Sequence, residues 1–161
     1  LDRRLRRSPA EATVRPARAT DEPFVVGLAG RFAETRPDWR SEREVTAGTE
    51  AELRRAFREP DAGLAILIAE DDSGAPVGFA YAVTHRDFFT HEEHGHLSEI
   101  ATARDGSGAF VALVAAVEAH FRGLGVRFVT LNVNVGNERA AELYARLGFE
   151  KQVVQFVKTL R

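Results

Sequence analysis

Hydrophobic and polar positions along the chain follow two rhythms in turn. Residues 12–18 (ATVRPAR) alternate as a half-buried strand does. Phe24, Val25, Leu28 and Phe32 then recur at helical spacing. Thr20 is placed to cap that helix, with Asp21 and Glu22 in its first turn and Pro23 tolerated there. The pattern carries it to about Glu34. Residues 36–48 are polar and read as a loop. Thr49 and Glu52 form a T-x-x-E capping box for a second helix, which ends before Pro60.

Residues 64–70 (LAILIAE) form the unbroken apolar run of a buried strand. DDSGAP is turn chemistry, and residues 77–84 (VGFAYAVT) return as the second arm of a hairpin. Residues 96–102 (HLSEIAT) make a further strand. Phe110, Leu113, Val114, Val117, Phe121 and Leu124 share one stripe, so residues 109–123 read as an amphipathic helix stopped by Gly123 and Gly125. Residues 126–135 read as a strand. Asn137 caps a helix running to about Leu147, which Gly148 ends. Residues 151–160 (KQVVQFVKTL) alternate again as a last strand. The order is strand, two helices, three strands, helix, strand, helix, strand. A strand–helix–strand unit over residues 97–135 requires a parallel pair with a right-handed crossover. The earlier strands pair better antiparallel. The expected fold is therefore α/β of the α+β kind, a mixed sheet with helices packed on it. Residues 1–11 are expected to form a flexible arm and residues 12–161 a single domain.

Composition narrows the function. A chain of 161 residues, 44% hydrophobic and 29% charged, suits one soluble globular domain. A net charge of −2 offers no general attraction for nucleic acid. No apolar run reaches the roughly 20 residues of a membrane span. The absence of cysteine removes disulfides, thiolate metal sites and a thiol nucleophile. LDRRLRRSPA has basic residues but no apolar core of a secretory signal, so a cytoplasmic location is expected. DRRLRR reads as a solvated tail.

Two stretches carry candidate chemistry. In ARDGSGAF, a strand gives way to a loop with Gly106 and Gly108, and a helix follows. Backbone N–H groups at a helix N-terminus are unpaired and carry partial positive charge, which suits a phosphate. Glycines let those groups approach a ligand closely. The same residues also serve as a plain strand-to-helix turn. In LNVNVGNERAAELYARLGF, Tyr144 falls seven residues after Asn137, so both lie near one helix face. Tyr144 can present its hydroxyl to a ligand, or sit half-buried with a wet hydroxyl.

The run from Asn137 through Tyr144 to Gly148 and Phe149 resembles the C-terminal signature of the GNAT superfamily of acyl-CoA-dependent N-acetyltransferases. HLSEIAT, the glycine loop and the next helix resemble that family's acetyl-CoA motif. The resemblance covers nearly the whole chain, roughly from Thr13 to Leu160. It implies a central, mostly antiparallel sheet with one parallel pair and helices on both faces. It also implies acetyl-CoA as cosubstrate, held by Ile100, Ala101 and Thr102 along the strand. Arg104, Gly106, Ser107, Gly108, Ala109 and Phe110 would contribute from the loop, and Asn137 and Tyr144 from the last helix. The family's loop runs Gln/Arg-x-x-Gly-x-Gly/Ala. Here Asp105 stands at its first position and Phe110 at its last, and Arg104 lies one position early. Losing one charge-assisted hydrogen bond to phosphate costs about 1.5–3 kcal/mol, or about 10- to 150-fold in affinity.

The implied reaction is direct attack of a primary amine on the thioester, with no acyl-enzyme. Glu99 is the candidate general base and Tyr144 the general acid for the leaving thiolate. Backbone N–H groups near Ile100 and Ala101 can hold the oxyanion. Glu99 reads equally well as a strand carboxylate paired with an arginine. Strict alternation puts Leu97, Glu99 and Ala101 on one face and Ser98, Ile100 and Thr102 on the other.

His85, His91, His94 and His96 beside Glu92 and Glu93 contain zinc-ligand types. A strand end and a turn meeting water explain them better, so no metal is expected. Glu92, Glu93 and Glu99 would favour a cationic amine. Phe88 and Phe89 suit core packing better than an acceptor wall, and Trp39 suits either a surface anchor or the acceptor side. The expected function is an N-acetyltransferase acting on a small-molecule amine, with neither nucleic acid nor membrane as partner. The family's final strands imply a homodimer as one assembly. The alternatives are a non-catalytic CoA-sensing or protein-interaction domain with a degenerate loop, and a transferase of another acyl chain.

Overall fold

The structure, a computed structural model, describes residues 12–106 and 108–160. The elements are β1 (Thr13–Pro16), α1 (Glu22–Gly27), α2 (Glu42–Arg58), β2 (Ala65–Glu70), β3 (Pro76–Arg86), β4 (Glu93–Thr102), α3 (Ala109–Gly123), β5 (Val129–Leu131) and α4 (Glu138–Arg146). Five strands form one sheet in the order β1-β2-β3-β4-β5. Neighbours are antiparallel from β1 to β4, and β4 and β5 run parallel.

The sheet is buried on both faces, which explains the unbroken apolar run of β2. Ala65, Leu67 and Ala69 face α3 together with Ala80, Ala82 and Leu97. Ile66 and Ile68 face α1 and α2 together with Phe79 and Tyr81. The fold agrees with the mixed sheet read from the sequence. At Gly95, a Cβ would come within 2.5 Å of the Phe121 ring, so glycine lets α3 lie close to β4.

Several local expectations are corrected. The first helix is broken: 3-10 turns at Ala19–Asp21 and Ala29–Ala33 flank the short α1. Thr20 does not cap it. The Asp21 carboxylate accepts from the Arg18 backbone N–H at 2.7 Å and from the Arg15 guanidinium at 2.7 and 3.0 Å. Gly27 and Gly30 weaken the helical continuation. The second helix starts earlier than expected, inside the supposed loop. Its capping box is Ser41 and Glu44, with each side chain accepting from the other's backbone N–H. Thr49 and Glu52 lie mid-helix.

β4 begins at Glu93 rather than His96, and β5 shrinks to three residues. Residues 151–160 form no strand, and among the described residues none pairs with them. Val153 and Phe156 are 87% and 91% exposed. Alternation suits a segment to a sheet, but a strand also needs a free edge within reach. The expected arm at residues 1–11 lies outside the described residues. No helix among those described is long and apolar enough to cross a membrane.

Candidate functional site

The centre of the site is an irregularity in β4. Tyr81 pairs with Glu99, but Ala82 pairs with Leu97, so Ser98 is an extra residue on β4. Such a bulge rotates the residues on either side of it relative to each other. Leu97 packs on the α3 side and Ala101 on the α1/α2 side. The expected shared face of Leu97, Glu99 and Ala101 is thus overturned. At the same point the parallel pairing stops. β5 meets β4 only at Gly95, His96 and Leu97, through Val129, Thr130 and Leu131. Beyond that the two strands separate, which also explains the short β5. Ile100, Ala101 and Thr102 remain paired to β3, while the other edge of this stretch faces no described strand. An extended ligand with its own amides can add to such an edge.

Glu99 and Tyr144 lie at this opening. Burial, helped by the charge of Glu52, pushes the Glu99 carboxyl up to about 7. No cation among the described residues pairs with it, so the structure does not show an arginine-bound strand carboxylate. Tyr144, on α4, is 7% exposed. Its ring lies 5.5 Å from the rings of both Phe110 and Phe149. Burial and the nearby Glu99 charge raise its pKa, so Tyr144 keeps its proton at neutral pH.

The loop before α3 is built on two left-handed glycines, Gly106 at φ 76° and Gly108 at φ 71°. A Cβ at Gly106 would meet nothing within 4 Å, so the loop opens outward. Ser107 lies outside the described residues. Ala109 is fully buried under the helix start. Phe110 packs inward against Tyr144 and does not cover the loop. Asp105, the acid at the family's basic position, is ion-paired. Its carboxylate meets Arg139 at 2.8 Å and Arg31 at 3.6 Å. Arg139, the first of these, holds it well below its usual range. Two arginines from distant segments therefore stand beside the loop at Asp105. Arg104 is near enough to the β2–β3 turn for the Asp71 carboxyl, held low chiefly by Ser73, to feel its charge as well. The Asn137 side chain accepts from the Ala140 N–H at 3.3 Å and so caps α4.

On the α2 side of the bulge lies a cleft of about 550 Å³ between the end of α2 and β3–β4. Glu52, Glu59, Asp61, Tyr81, His85 and Ser98 are among its lining residues. The Tyr81 hydroxyl donates to Glu52 at 2.8 Å, and Arg55 clamps the same carboxylate at 2.6 and 3.0 Å. Arg55 first, with Tyr81, keeps Glu52 ionised.

Of His85, His91, His94 and His96, three stack on neighbouring rings, while His91 is exposed, as a turn meeting water would leave it. His85 stacks on His96 at 4.4 Å, and His94 stacks on Phe128 at 4.7 Å. Burial, then the charges of His85 and His94, lowers His96 to about 4. Among the described residues no group of three or more His, Asp or Glu is arranged to hold a metal. Glu92 pairs with Arg127 at 3.4 Å, and neither it nor Glu93 lines the cleft. Phe88 and Phe89 are 82% and 85% exposed, so they belong to neither core nor cleft. Trp39 is half-exposed, with the Arg40 guanidinium 4.2 Å over its ring.

The structure brings together Glu99, Tyr144, Ile100, Ala101, Thr102 and the glycine loop. Sequence reasoning missed Arg31, Arg139, Glu52 and Tyr81. Arg139 was findable, because the resemblance puts Asn137, two residues before it, at the same cofactor as the loop. Arg31 and Tyr81 depend on long-range packing.

No curated protein matches the sequence. Solved structures resemble the fold closely. One is a putative acetyl transferase from Pyrococcus furiosus, with TM-score 0.76, 15% identity, and coverage of 93% of this chain and 100% of that one. Another is an aminoglycoside N-acetyltransferase in complex with CoA, with TM-score 0.71, 21% identity, and coverage of 96% and 99%. A third is glucosamine-6-phosphate N-acetyltransferase from Arabidopsis thaliana, with TM-score 0.64, 17% identity, and coverage of 93% and 99%. At these identities the likeness is one of fold. The acetyltransferase (GNAT) family model matches residues 31–149. With the split strands, the glycine loop and Glu99 near Tyr144, that match decides the assignment: this chain belongs to the GNAT acetyltransferase family.

Proposed function

We propose that the protein is an N-acetyltransferase that uses acetyl-CoA to acetylate a primary amine on a small molecule. The observation that carries this reading is Glu99: a partly buried carboxyl, poised near neutrality, at the mouth of the β4–β5 split and close enough to Tyr144 to act on its pKa. The open β4 edge, the outward-opening loop at Gly106 and Gly108, and the nearby Arg31 and Arg139 suit a ligand with amides and phosphates. Acetyl-CoA supplies the activated acetyl group. Glu99 accepts the proton of the attacking amine, directly or through water, as the new C–N bond forms and the C–S bond breaks. The backbone N–H of Ile100, which points away from β3 to the open edge, holds the carbonyl oxygen. Tyr144 keeps its proton above an ordinary thiol's pKa of roughly 8.5. Its part is thus a hydrogen bond to the leaving sulfur, because full transfer to the thiolate would run uphill. The unpaired apolar residues 151–160 and the outer edge of β5 support a homodimer of two copies.

Calorimetric titration with acetyl-CoA, followed by thiol release over an amine panel, tests the reading. Binding and turnover are expected. Tyr144→Phe should lower kcat about 10- to 100-fold, the worth of a hydrogen bond to a charged group, and leave acetyl-CoA affinity nearly unchanged. Absence of binding would overturn the proposal. Binding without turnover on any amine would favour a CoA-sensing module instead.

A further inference from the structure

Glu99 does not line the cleft, but Ser98, its chain neighbour, and Tyr81, its partner across the sheet, do, and the cleft's shape and chemistry select among amines. Glu52 and Glu59 lie seven residues apart on α2, about 10 Å along the helix axis. Both line the cleft. Glu52 marks the inner end, because Tyr81, its hydrogen-bond partner, sits opposite Glu99 in the sheet. Glu59 and Asp61 mark the outer end, where α2 gives way to the turn before β2. Asp61 is held in place by the Gly63 N–H at 2.7 Å. Arg55 lies between the two glutamates and pairs with both, at 2.6 and 3.4 Å. One guanidinium against three carboxylates leaves the lining negative. It is also already engaged, so an anionic acceptor would find no unclaimed cation along this wall. Pro60, Leu64 and Val83 supply apolar surface in the same cleft.

We propose that this cleft takes an elongated diamine, with the reacting nitrogen at the inner end, by Glu52 and Tyr81 and next to Glu99, and a second ammonium one Glu52–Glu59 spacing, roughly 10 Å, further out against Glu59 and Asp61. Methylenes between the two nitrogens pack on Leu64 and Val83. The inner nitrogen loses its proton to Glu99, and the outer one stays charged and fixes the register. This inference rests on the acetyltransferase reading for its chemistry, but the cleft's preference can be measured without turnover.

The test is calorimetric titration of the CoA-loaded protein with diaminooctane, diaminopropane and octylamine, in parallel with thiol release from acetyl-CoA. Diaminooctane should bind about tenfold tighter than either comparison amine, the effect of one additional favourable charge contact. The paired change Glu59→Gln and Asp61→Asn, at the solvent-facing mouth, should reduce its affinity about fivefold or more and narrow that ratio. Glu118→Gln on α3 should leave the ratio as it was. Equal binding of diaminooctane and octylamine, or a preference that survives the paired change, overturns the proposal. Selective diamine binding without acetyl transfer would uphold the cleft's preference and remove the transferase reading. Acetyl transfer to octylamine with no diamine preference would do the reverse.

Discussion

Glu99 shows what burial does to one residue. Its carboxyl belongs to a strand that a regular sheet would have packed or solvated, yet the bulge at Ser98 turns it beside Tyr81 at the opening. Desolvation and the Glu52 charge lift it from an ordinary 4.5 to about 7. A base must be ionised to accept a proton, so kcat/KM should rise with pH through about 7 and level off above it. Glu99→Gln should abolish that rise and lower kcat/KM at alkaline pH by about 100-fold or more. The same shift has a cost in stability. Between 4.5 and about 7 the folded protein holds a proton that the unfolded chain has released, so this group's contribution falls as pH rises through that window. Glu99→Gln should therefore raise Tm at alkaline pH and change it little at acid pH. A thermal melt showing no gain at alkaline pH would mean that the carboxyl is not buried in its charged state.

Among the elements, the turn between β1 and α1 depends on Asp21. It is nearly buried and ties Arg15 on β1 to the Arg18 backbone, while Arg15 also reaches Glu70 on β2 at 2.6 Å. Arg15 first, then the Arg18 N–H, holds the Asp21 carboxyl below its usual value. Its contribution is present above about 3.8 and is lost as pH falls through the lowered value. Asp21→Asn should cost roughly 3 kcal/mol at neutral pH, because it leaves a partly enclosed guanidinium short of a partner. Urea melts should show the deficit shrinking at acid pH. The sequence placed Asp21 in a helix's first turn, and its neighbour Thr20 was read as the cap. Asp21 itself stands at the N-cap of α1 without a side-chain cap bond, because its carboxylate is drawn back to the Arg18 N–H and to Arg15 on the preceding strand. The α2 start was misread for a different reason: Ser41–Glu44 and Thr49–Glu52 both satisfy the capping-box spacing. Only the tertiary contact shows that Glu52 serves Tyr81.

For the whole molecule, the unresolved demand lies in the last ten described residues. Their apolar side chains find no partner within the described chain, while β5 presents an outer edge. Exposed strand-like segments and bare edges pair with one another. Light scattering should report a dimer, and Phe156→Ser should shift it toward monomer; a monomer at every concentration would refute the pairing. Sequence alone determined the order of the strands and main helices from β1 to α4, the mixed sheet, the α3 stripe, the α4 cap at Asn137 and the candidates Glu99 and Tyr144. Those follow from periodicity, caps and a local signature, which act over a few neighbouring residues. Tertiary structure alone decided the bulge at Ser98, the separation of β4 from β5, the Arg31 and Arg139 contacts to Asp105, and the Glu52–Tyr81 link. It also set Phe110, which the sequence placed on the α3 stripe, against the Tyr144 ring. Each of these joins residues far apart in the chain, and such contacts are set by how two packed faces meet, which no local pattern records.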